Sequence, residues 1–391
     1  MTPAARLQAA IEILDEVIAA ARDNGPPADA IVTRYFKQRR YAGSKDRRAV
    51  RELVFRAIRR SAERPPTGRA AVLGLVEDEP ELRELFGQPR GPEVAHDGEE
   101  AARADFVPQW LEAELSPLIN EDEWPSLLDR APLDLRVNVA RSSRGDMLEQ
   151  FDGAAPTPLS PWGIRLAPDT RIDDQPAFEA GLVEVQDEGS QLIALACDPA
   201  DRERLLDLCA GAGGKALALA AAAPDAVILA TDSNRARLSQ LPRRAERAGA
   251  SVQARLLDPP REIEGLADWA GSADLVLVDA PCSGSGTWRR NPEGRWRLTP
   301  DRLDRLLEAQ QRLLGIAAEM VRPGGRLVYA VCSLLSREGA GQIARFLDDR
   351  SSWISEETPI AAGRLDGAGR LLTPAHDRTD GFFVARLRRP C

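Results

Sequence analysis

The chain has 391 residues, 43% of them hydrophobic and 29% charged, with a formal net charge of −9. That length exceeds one typical domain and predicts two or three, and no apolar run approaches the ~18–20 residues of a membrane span, so a soluble, cytoplasmic protein without membrane or signal segment is expected. Five cysteines without a CxxC pair suggest neither a disulfide framework nor a zinc site, and two histidines (His96 and His376) argue against a histidine-based metal or triad mechanism.

Residues 4–22 carry apolar side chains at helical spacing and predict an amphipathic helix, stopped by DNGPP. Residues 28–40 and 45–63 predict two more, separated by YAGS, with Ser44 as N-cap. From Arg34 to Arg64 this region holds twelve basic residues against Asp46, Glu52 and Glu63, whereas Glu77 to Glu123 is acidic. Clustered cations with interleaved Tyr35, Phe36 and Tyr41 fit a phosphate-contacting surface. A solvated helix face with local ion pairs fits equally well. Residues 69–86 predict short helices, and GQPRGPEVAHDGEE (87–100) predicts a linker in which His96 is solvated. Residues 1–100 are therefore expected to form a helical domain.

FVPQWLEAELSPLI (106–119) predicts a helix, PLDLRVNVARSSR (132–144) an alternating strand, and PLSPWGIRLAP (158–168) a second strand. Residues 101–185 are expected to form a small α+β module. GLVEVQDEGSQLIALACD (181–198) then gives a strand, a turn and a helix. From 204 onward, near-continuous apolar strands alternate with helices: strands at 205–209, 226–232, 251–258, 273–281, 325–333 and 382–389, with Pro242 kinking the helix over 235–248. This pattern predicts a doubly wound, mostly parallel, Rossmann-like α/β sheet over 186–391, covered by helices on both faces. Ligands of such sheets bind beyond the C-terminal strand ends.

The polar residues of interest fall on those ends. LLDLCAGAGGK (205–215) runs from strand through a glycine turn into a helix, so its backbone can approach a ligand closely. It lacks the spacing of a phosphate-binding loop and the register of a dinucleotide turn. Asp232, Asp258 and Asp279 end the next strands, and an acid about 20 residues after a glycine turn is placed to bind ribose. Each alone fits a helix cap or turn residue better; together they suit adenosine with a short charged tail, such as S-adenosylmethionine. Cys282 and Cys332 each follow a predicted buried strand, in turn sequences over the expected cleft. Inert packing is the reading preferred for Cys197 and Cys391, and a structural role for Cys209. Two strand-end cysteines suit methylation of pyrimidine carbon 5. A thiolate adding to carbon 6 makes carbon 5 enamine-like, a base removes its proton, and the thiol leaves. Asp279 is placed to hydrogen-bond the amino edge of the base, which must be unstacked to be reached.

On VQDEGSQ (185–191), LLDLCAGAGGK, ATD (230–232), DAPCSGSGTWRRNPEGRW (279–296), GGRLVYAVCS (324–333) and DGFF (380–383), the chain resembles the Sun (RsmB/Fmu-like) family of RNA cytosine-5 methyltransferases from about residue 130 to its end. The resemblance implies Cys332 as nucleophile, Cys282 as the thiol assisting product release, and S-adenosyl-L-methionine contacts at Cys209, Ala210, Gly211, Ala212, Gly213, Gly214, Lys215, Asp232, Asp258 and Asp279. The opposite assignment of the cysteines, as in DNA cytosine methyltransferases, is the alternative. The family's CAAPGGKT is CAGAGGKA here, Gly339 stands where Asn is usual, and DPP follows Asp258 in place of a DGR-like string. The helical N-terminus resembles, more weakly, a NusB-like RNA-binding domain, which favours the nucleic-acid reading of the basic run and adds Arg289, Arg290 and Arg295 as phosphate candidates. The expected function is formation of 5-methylcytosine in RNA, ribosomal RNA of the small subunit first and tRNA second, by a monomer without a metal. A non-catalytic RNA-binding or ribosome-assembly factor on the same scaffold is the alternative from another class.

Overall fold

Helix α1 (Pro3–Arg22) opens the computed structural model, which describes residues 1–167 and 170–391. Thr2 caps α1 by accepting the Ala5 amide. Helices α2 (Ala28–Gln38), α3 (Ser44–Arg60) and α4 (Gly68–Asp78) follow. Ser44 is not the N-cap that was expected: it lies inside α3, and Gly43 holds the cap position without a side-chain bond. The apolar stripes of these helices bury Leu7, Leu14, Val17, Ile31, Val54, Ile58 and Val72 in one core. Gly68 lets α4 approach α1, since a Cβ there would lie 2.3 Å from the Ile11 carbonyl. The helix expected over 106–119 is only Gln109–Glu112. Pro117 has no amide to donate and disfavours helical geometry before it, so the apolar pattern cannot propagate.

These helices belong to the first of two compact units: Met1–Leu115, Ile119–Asp129 and Thr287–Pro300. The second comprises Ser116–Leu118, Arg130–Gly286 and Asp301–Cys391. The division differs from the expected series of three segments. The first unit extends past residue 100 and takes in 287–300, the stretch that follows the Cys282 turn. The reason lies in Trp296, 2% exposed in the helical core with its indole N–H on the Ser61 carbonyl at 2.8 Å.

In the second unit, β1 (Leu133–Val137), β2 (Ala155–Pro156), β3 (Gly163–Leu166) and β4 (Val183–Val185) form an antiparallel sheet in the order β2-β3-β1-β4. Pro168, the last residue of the stretch predicted to hold β3, lies outside the described residues. Helix α5 (Glu188–Cys197) leads into the main sheet. Its strands are β5 (Arg204–Asp207), β6 (Val227–Asp232), β7 (Gln253–Leu256), β8 (Ala273–Asp279), β9 (Val321–Val331), β10 (Ile354–Glu356), β11 (Arg364–Asp366), β12 (Gly369–Leu372) and β13 (Phe382–Arg388). The order is β11-β12-β13-β9-β8-β5-β6-β7, with β10 on β13. Strands β7-β6-β5-β8-β9 are parallel, and β13 is antiparallel to β9. The order reverses direction between β5 and β8, which opens a crevice at their C-terminal ends. Pro242 stands in the first turn of Leu241–Ala248, and the expected single helix over 235–248 is accordingly two.

Candidate functional site

The glycine turn joins β5 to α6 (Gly214–Ala222). Gly211 has φ +56° and Gly213 φ +86°. A Cβ on Gly211 would lie 2.3 Å from the Arg237 guanidinium, and one on Gly213 2.2 Å from Leu241 Cδ1. Both positions favour glycine for their positive φ; at Gly211 the neighbour is the flexible end of Arg237, so conformation decides there. The Ala210 amide donates to the Thr231 carbonyl at 2.8 Å, and Arg244 donates to the Ala212 carbonyl at 2.7 Å, which fixes the turn from both sides. Asp232 ends β6 as expected. Its carboxylate accepts the Gly211 amide at 2.7 Å and the Asn234 amide at 2.6 Å. Lys215, in the first turn of α6, donates to Asp279 at 2.7 Å at the end of β8. Burial opposes the Lys215 charge, but Asp279 in contact, with Cys332 and Asp207 nearby, holds the ammonium above its ordinary range. Burial, with Asp207, Asp279 and Asp232 around it, pushes the Cys209 thiol well up and keeps it inert.

Asp207 was not among the expected site residues. It ends β5 inside the apolar run LLDLC and is fully buried. Neither carboxylate oxygen has a hydrogen-bond partner of good geometry, although the Cys209 amide is near enough to lower its proton affinity a little. Burial, with Asp279 next, raises its carboxyl to about 7, against the pull of Lys215. A buried carboxyl with a strongly raised proton affinity at the foot of a glycine turn is the kind of group that clusters at functional sites. The donors and acceptors at this end of the sheet thus fit an adenosine ligand with a cationic tail: open backbone at Gly211–Gly214, acids at Asp232 and Asp279, and a buried carboxyl at Asp207.

Three loops meet beside this turn. Cys282 follows β8, Cys332 follows β9, and Asp380–Gly381 precedes β13. The two sulfurs lie 3.3 Å apart. The Gly286 amide donates to the Cys332 carbonyl at 3.0 Å, and the Gly381 amide donates to the Gly286 carbonyl at 2.8 Å. A Cβ at Gly286 would sit 2.0 Å from the Gly381 carbonyl oxygen, so the loops close only on glycine. Cys282 holds its proton well above the ordinary thiol range: the hydrogen bond to Cys332 is the main cause, followed by burial and the charges of Cys332 and Glu338. Either sulfur can donate in this contact. Lys215, Asp279, Cys282 and Cys332 all come together as the sequence predicted.

Asp258 differs. It lies two residues beyond β7 at the sheet edge and is exposed. Arg295 is corrected from phosphate candidate to structural residue. It is 1% exposed and donates to the Ile58, Phe106 and Pro292 carbonyls at 2.6, 2.8 and 3.1 Å. Arg289 is buried as well. In the basic run, Arg34, Arg39, Arg51, Arg56 and Arg60 pair with Glu16, Glu12, Asp29, Glu79 and Glu77. Lys37, Arg40, Lys45 and Arg48 are exposed and make no ion pair among the described residues. Tyr35 and Phe36 belong to the core, and only Tyr41, 75% exposed, stands beside these cations in the α2–α3 turn. Among the described residues no helix is long and apolar enough to cross a membrane, and no cluster of three His, Cys, Asp or Glu is spaced to hold a metal ion.

Residues 194–388 match the 16S rRNA methyltransferase RsmB/F family. Ribosomal RNA small subunit methyltransferase B of Yersinia enterocolitica is 34% identical over 290 residues, covering 72% of this chain and 66% of that protein. The chain thus spans just under two thirds of the length of this relative. Among solved structures, PH0851 superposes with a TM-score of 0.74 at 23% identity, covering 100% of this chain and 99% of that one. NSun6 from Pyrococcus horikoshii, solved with SFG, gives 0.64 at 20% identity, covering 72% and 98%. Both likenesses are of fold.

Proposed function

The chain belongs to the RsmB/F methyltransferase family, and from that premise we propose that it forms 5-methylcytosine in small-subunit ribosomal RNA, with Cys332 as nucleophile. The observation that carries this reading is the pair of sulfurs 3.3 Å apart, one a proton donor and the other its acceptor, beside Lys215 and Asp279. The cofactor is S-adenosyl-L-methionine, which supplies an electrophilic methyl group when bound. Gly211–Gly214 would pass its backbone close to the ligand, Asp232 would take the ribose, and Asp207 would meet the cationic tail.

Cys332 Sγ adds to carbon 6 of a cytosine taken out of its stack, and carbon 5 becomes nucleophilic. Lys215 lies close enough for its charge to interact with the Cys332 sulfur. It also holds Asp279, which faces the amino edge of the base. Two of the causes that keep Cys282 protonated, the hydrogen bond and the charge, come from Cys332 itself. Both vanish once the Cys332 sulfur is bonded to carbon 6. Cys282 then gives its proton to solvent more readily; once carbon 5 carries the methyl group, the Cys282 thiolate takes the proton from carbon 5, the electrons of that bond re-form the 5,6 double bond, and the carbon–sulfur bond breaks to release Cys332 as thiolate. The exposed cations Lys37, Arg40, Lys45 and Arg48 are assigned to RNA phosphates.

Cys332→Ala should bind cofactor and transfer no methyl group. Cys282→Ala should accumulate a covalent RNA adduct, seen as a retarded band in denaturing gels. An adduct from Cys332→Ala would reverse the two roles. A cofactor titration without binding would point instead to a non-catalytic assembly factor.

A further inference from the structure

We propose that Glu338 is a positioning residue that sets the two cysteine loops against each other, acting with Gln310 behind the sulfur pair. This deepens the proposed reaction and rests on it for its kinetic consequences. Glu338 lies in the turn between β9 and α8 (Ala340–Asp349), and its side chain is fully buried. One carboxylate oxygen accepts the Ser283 amide at 2.8 Å, directly after Cys282. The other accepts the Ser333 hydroxyl at 2.5 Å, directly after Cys332. A single carboxylate therefore clamps the residues next to both sulfurs.

Other bonds extend the clamp on both sides. Gln310, fully buried on α7 (Pro300–Met320), donates from one amide nitrogen to Glu338 and to the Pro281 carbonyl, both at 2.9 Å. The Cys282 loop is thus held from before and after its cysteine. Ser283, Ser285 and Ser333 join hydroxyls at 3.1–3.2 Å, and Ser285 takes the Leu334 amide at 2.8 Å. The Tyr329 hydroxyl donates to the Glu338 carbonyl at 2.8 Å, which anchors the turn to the sheet. No bond in this set runs to the glycine turn, so the network's geometry bears on the sulfurs and leaves the cofactor end to other residues. Bonds to a charged acceptor are about twice as strong as neutral ones, and a site loosened by 1 Å loses rate out of proportion to its stability.

The test pairs two readouts. Methyl transfer is measured at saturating RNA and cofactor, beside the cofactor dissociation constant. Binding of phenylarsine oxide, which bridges two adjacent thiols with loss of one water, is measured without RNA or cofactor, with Cys282→Ser as control. Glu338→Ala should lower kcat about 100-fold and arsenical affinity at least tenfold, with cofactor affinity changed less than threefold. Glu338→Gln keeps the size and one acceptor and should recover part of both. Gln310→Leu, which leaves the carboxylate in place, should lower kcat about tenfold and serves if the alanine variant does not fold. Activity and arsenical affinity within threefold of wild type in Glu338→Gln and Gln310→Leu would overturn the proposal, as would cofactor affinity falling in step with kcat. Failure of the wild-type protein to methylate would sink the proposed reaction instead, and arsenical binding would still decide the role of Glu338.

Discussion

Replacing Asp207 by Asn tests whether the buried carboxylate under the glycine turn costs the cofactor-free protein stability that the ligand later recovers. An unfolded chain releases this proton near the ordinary value of 3.8, whereas the folded protein holds it to about 7. An offset of roughly three decades at 1.36 kcal/mol each gives about 4 kcal/mol. The sign follows from which state binds the proton. Between 3.8 and about 7 the folded chain keeps a proton that the unfolded chain has lost, so stability falls as pH rises through that window. Below it Asp207 is neutral in both states and costs nothing as a charge; above it the full cost applies. Relative to wild type, Asp207→Asn should therefore gain nothing from the charge at pH 3, gain steadily between 4 and 7, and level off at about 4 kcal/mol above 7. Denaturant titrations of both cofactor-free proteins across pH 3–8 measure the difference. Parallel stability curves would refute the reasoning, because a neutral Asn cannot follow an ionising Asp. The same variant should bind S-adenosyl-L-methionine more weakly at pH 8, where the wild-type carboxylate is charged.

Two further predictions concern the helical unit and one the division of the chain. Removing Lys37, Arg40, Lys45 and Arg48 together should cut the slope of log affinity against log salt for single-stranded RNA by up to about 3, at roughly 0.7 per phosphate contact; an unchanged slope would remove the patch from the RNA interface. Arg295→Ala should destabilise the helical unit by about 3 kcal/mol or more, since several buried carbonyls lose their donor, and Arg295→Lys should not restore it because an ammonium lacks the planar fork. A fragment of residues 130–391 should aggregate, with Trp296 and its neighbours deprived of their core, whereas an independent catalytic segment would stay soluble as measured by size-exclusion chromatography.

The strands β5, β6, β8 and β9 were legible because burial on both faces demands near-continuous apolar runs, and glycine density marked the turn. Strands β10 to β12 were not, because ISE, RLD and GRLL are short and carry polar residues at the level of any loop. The two cysteines and Asp279 could be placed together from strand ends alone, since a parallel sheet brings those ends to one edge. Asp207 did carry a signal, an acid inside an apolar run, although its lack of well-placed partners is a property of the folded site. Glu338 carried none: in SREGAG it reads as a solvated turn residue, and only the fold turns it toward Ser283 and Ser333. Arg295 shows the limit in the other direction. A guanidinium can serve RNA phosphates or backbone carbonyls equally well, and composition does not reveal which of them lies within reach.

The proposed chemistry needs one sulfur that attacks and a second group that holds a proton first and accepts one later. A fixed base meets half of that requirement. Asp279 is committed to Lys215, and both histidines, His96 and His376, are exposed and lie outside the sulfur pair. A second thiol meets both halves, because its proton affinity is set mainly by its neighbour. While the Cys332 sulfur is free, its hydrogen bond and charge hold the proton on Cys282. When that sulfur is bonded to carbon, only burial and Glu338 remain of the main causes, and the proton is held less tightly. In the proposed reaction the switch would be driven by the bond that Cys332 makes. It works only at contact distance, which is why the spacing of the two loops, and the carboxylate that fixes it, matter as much as the sulfurs themselves.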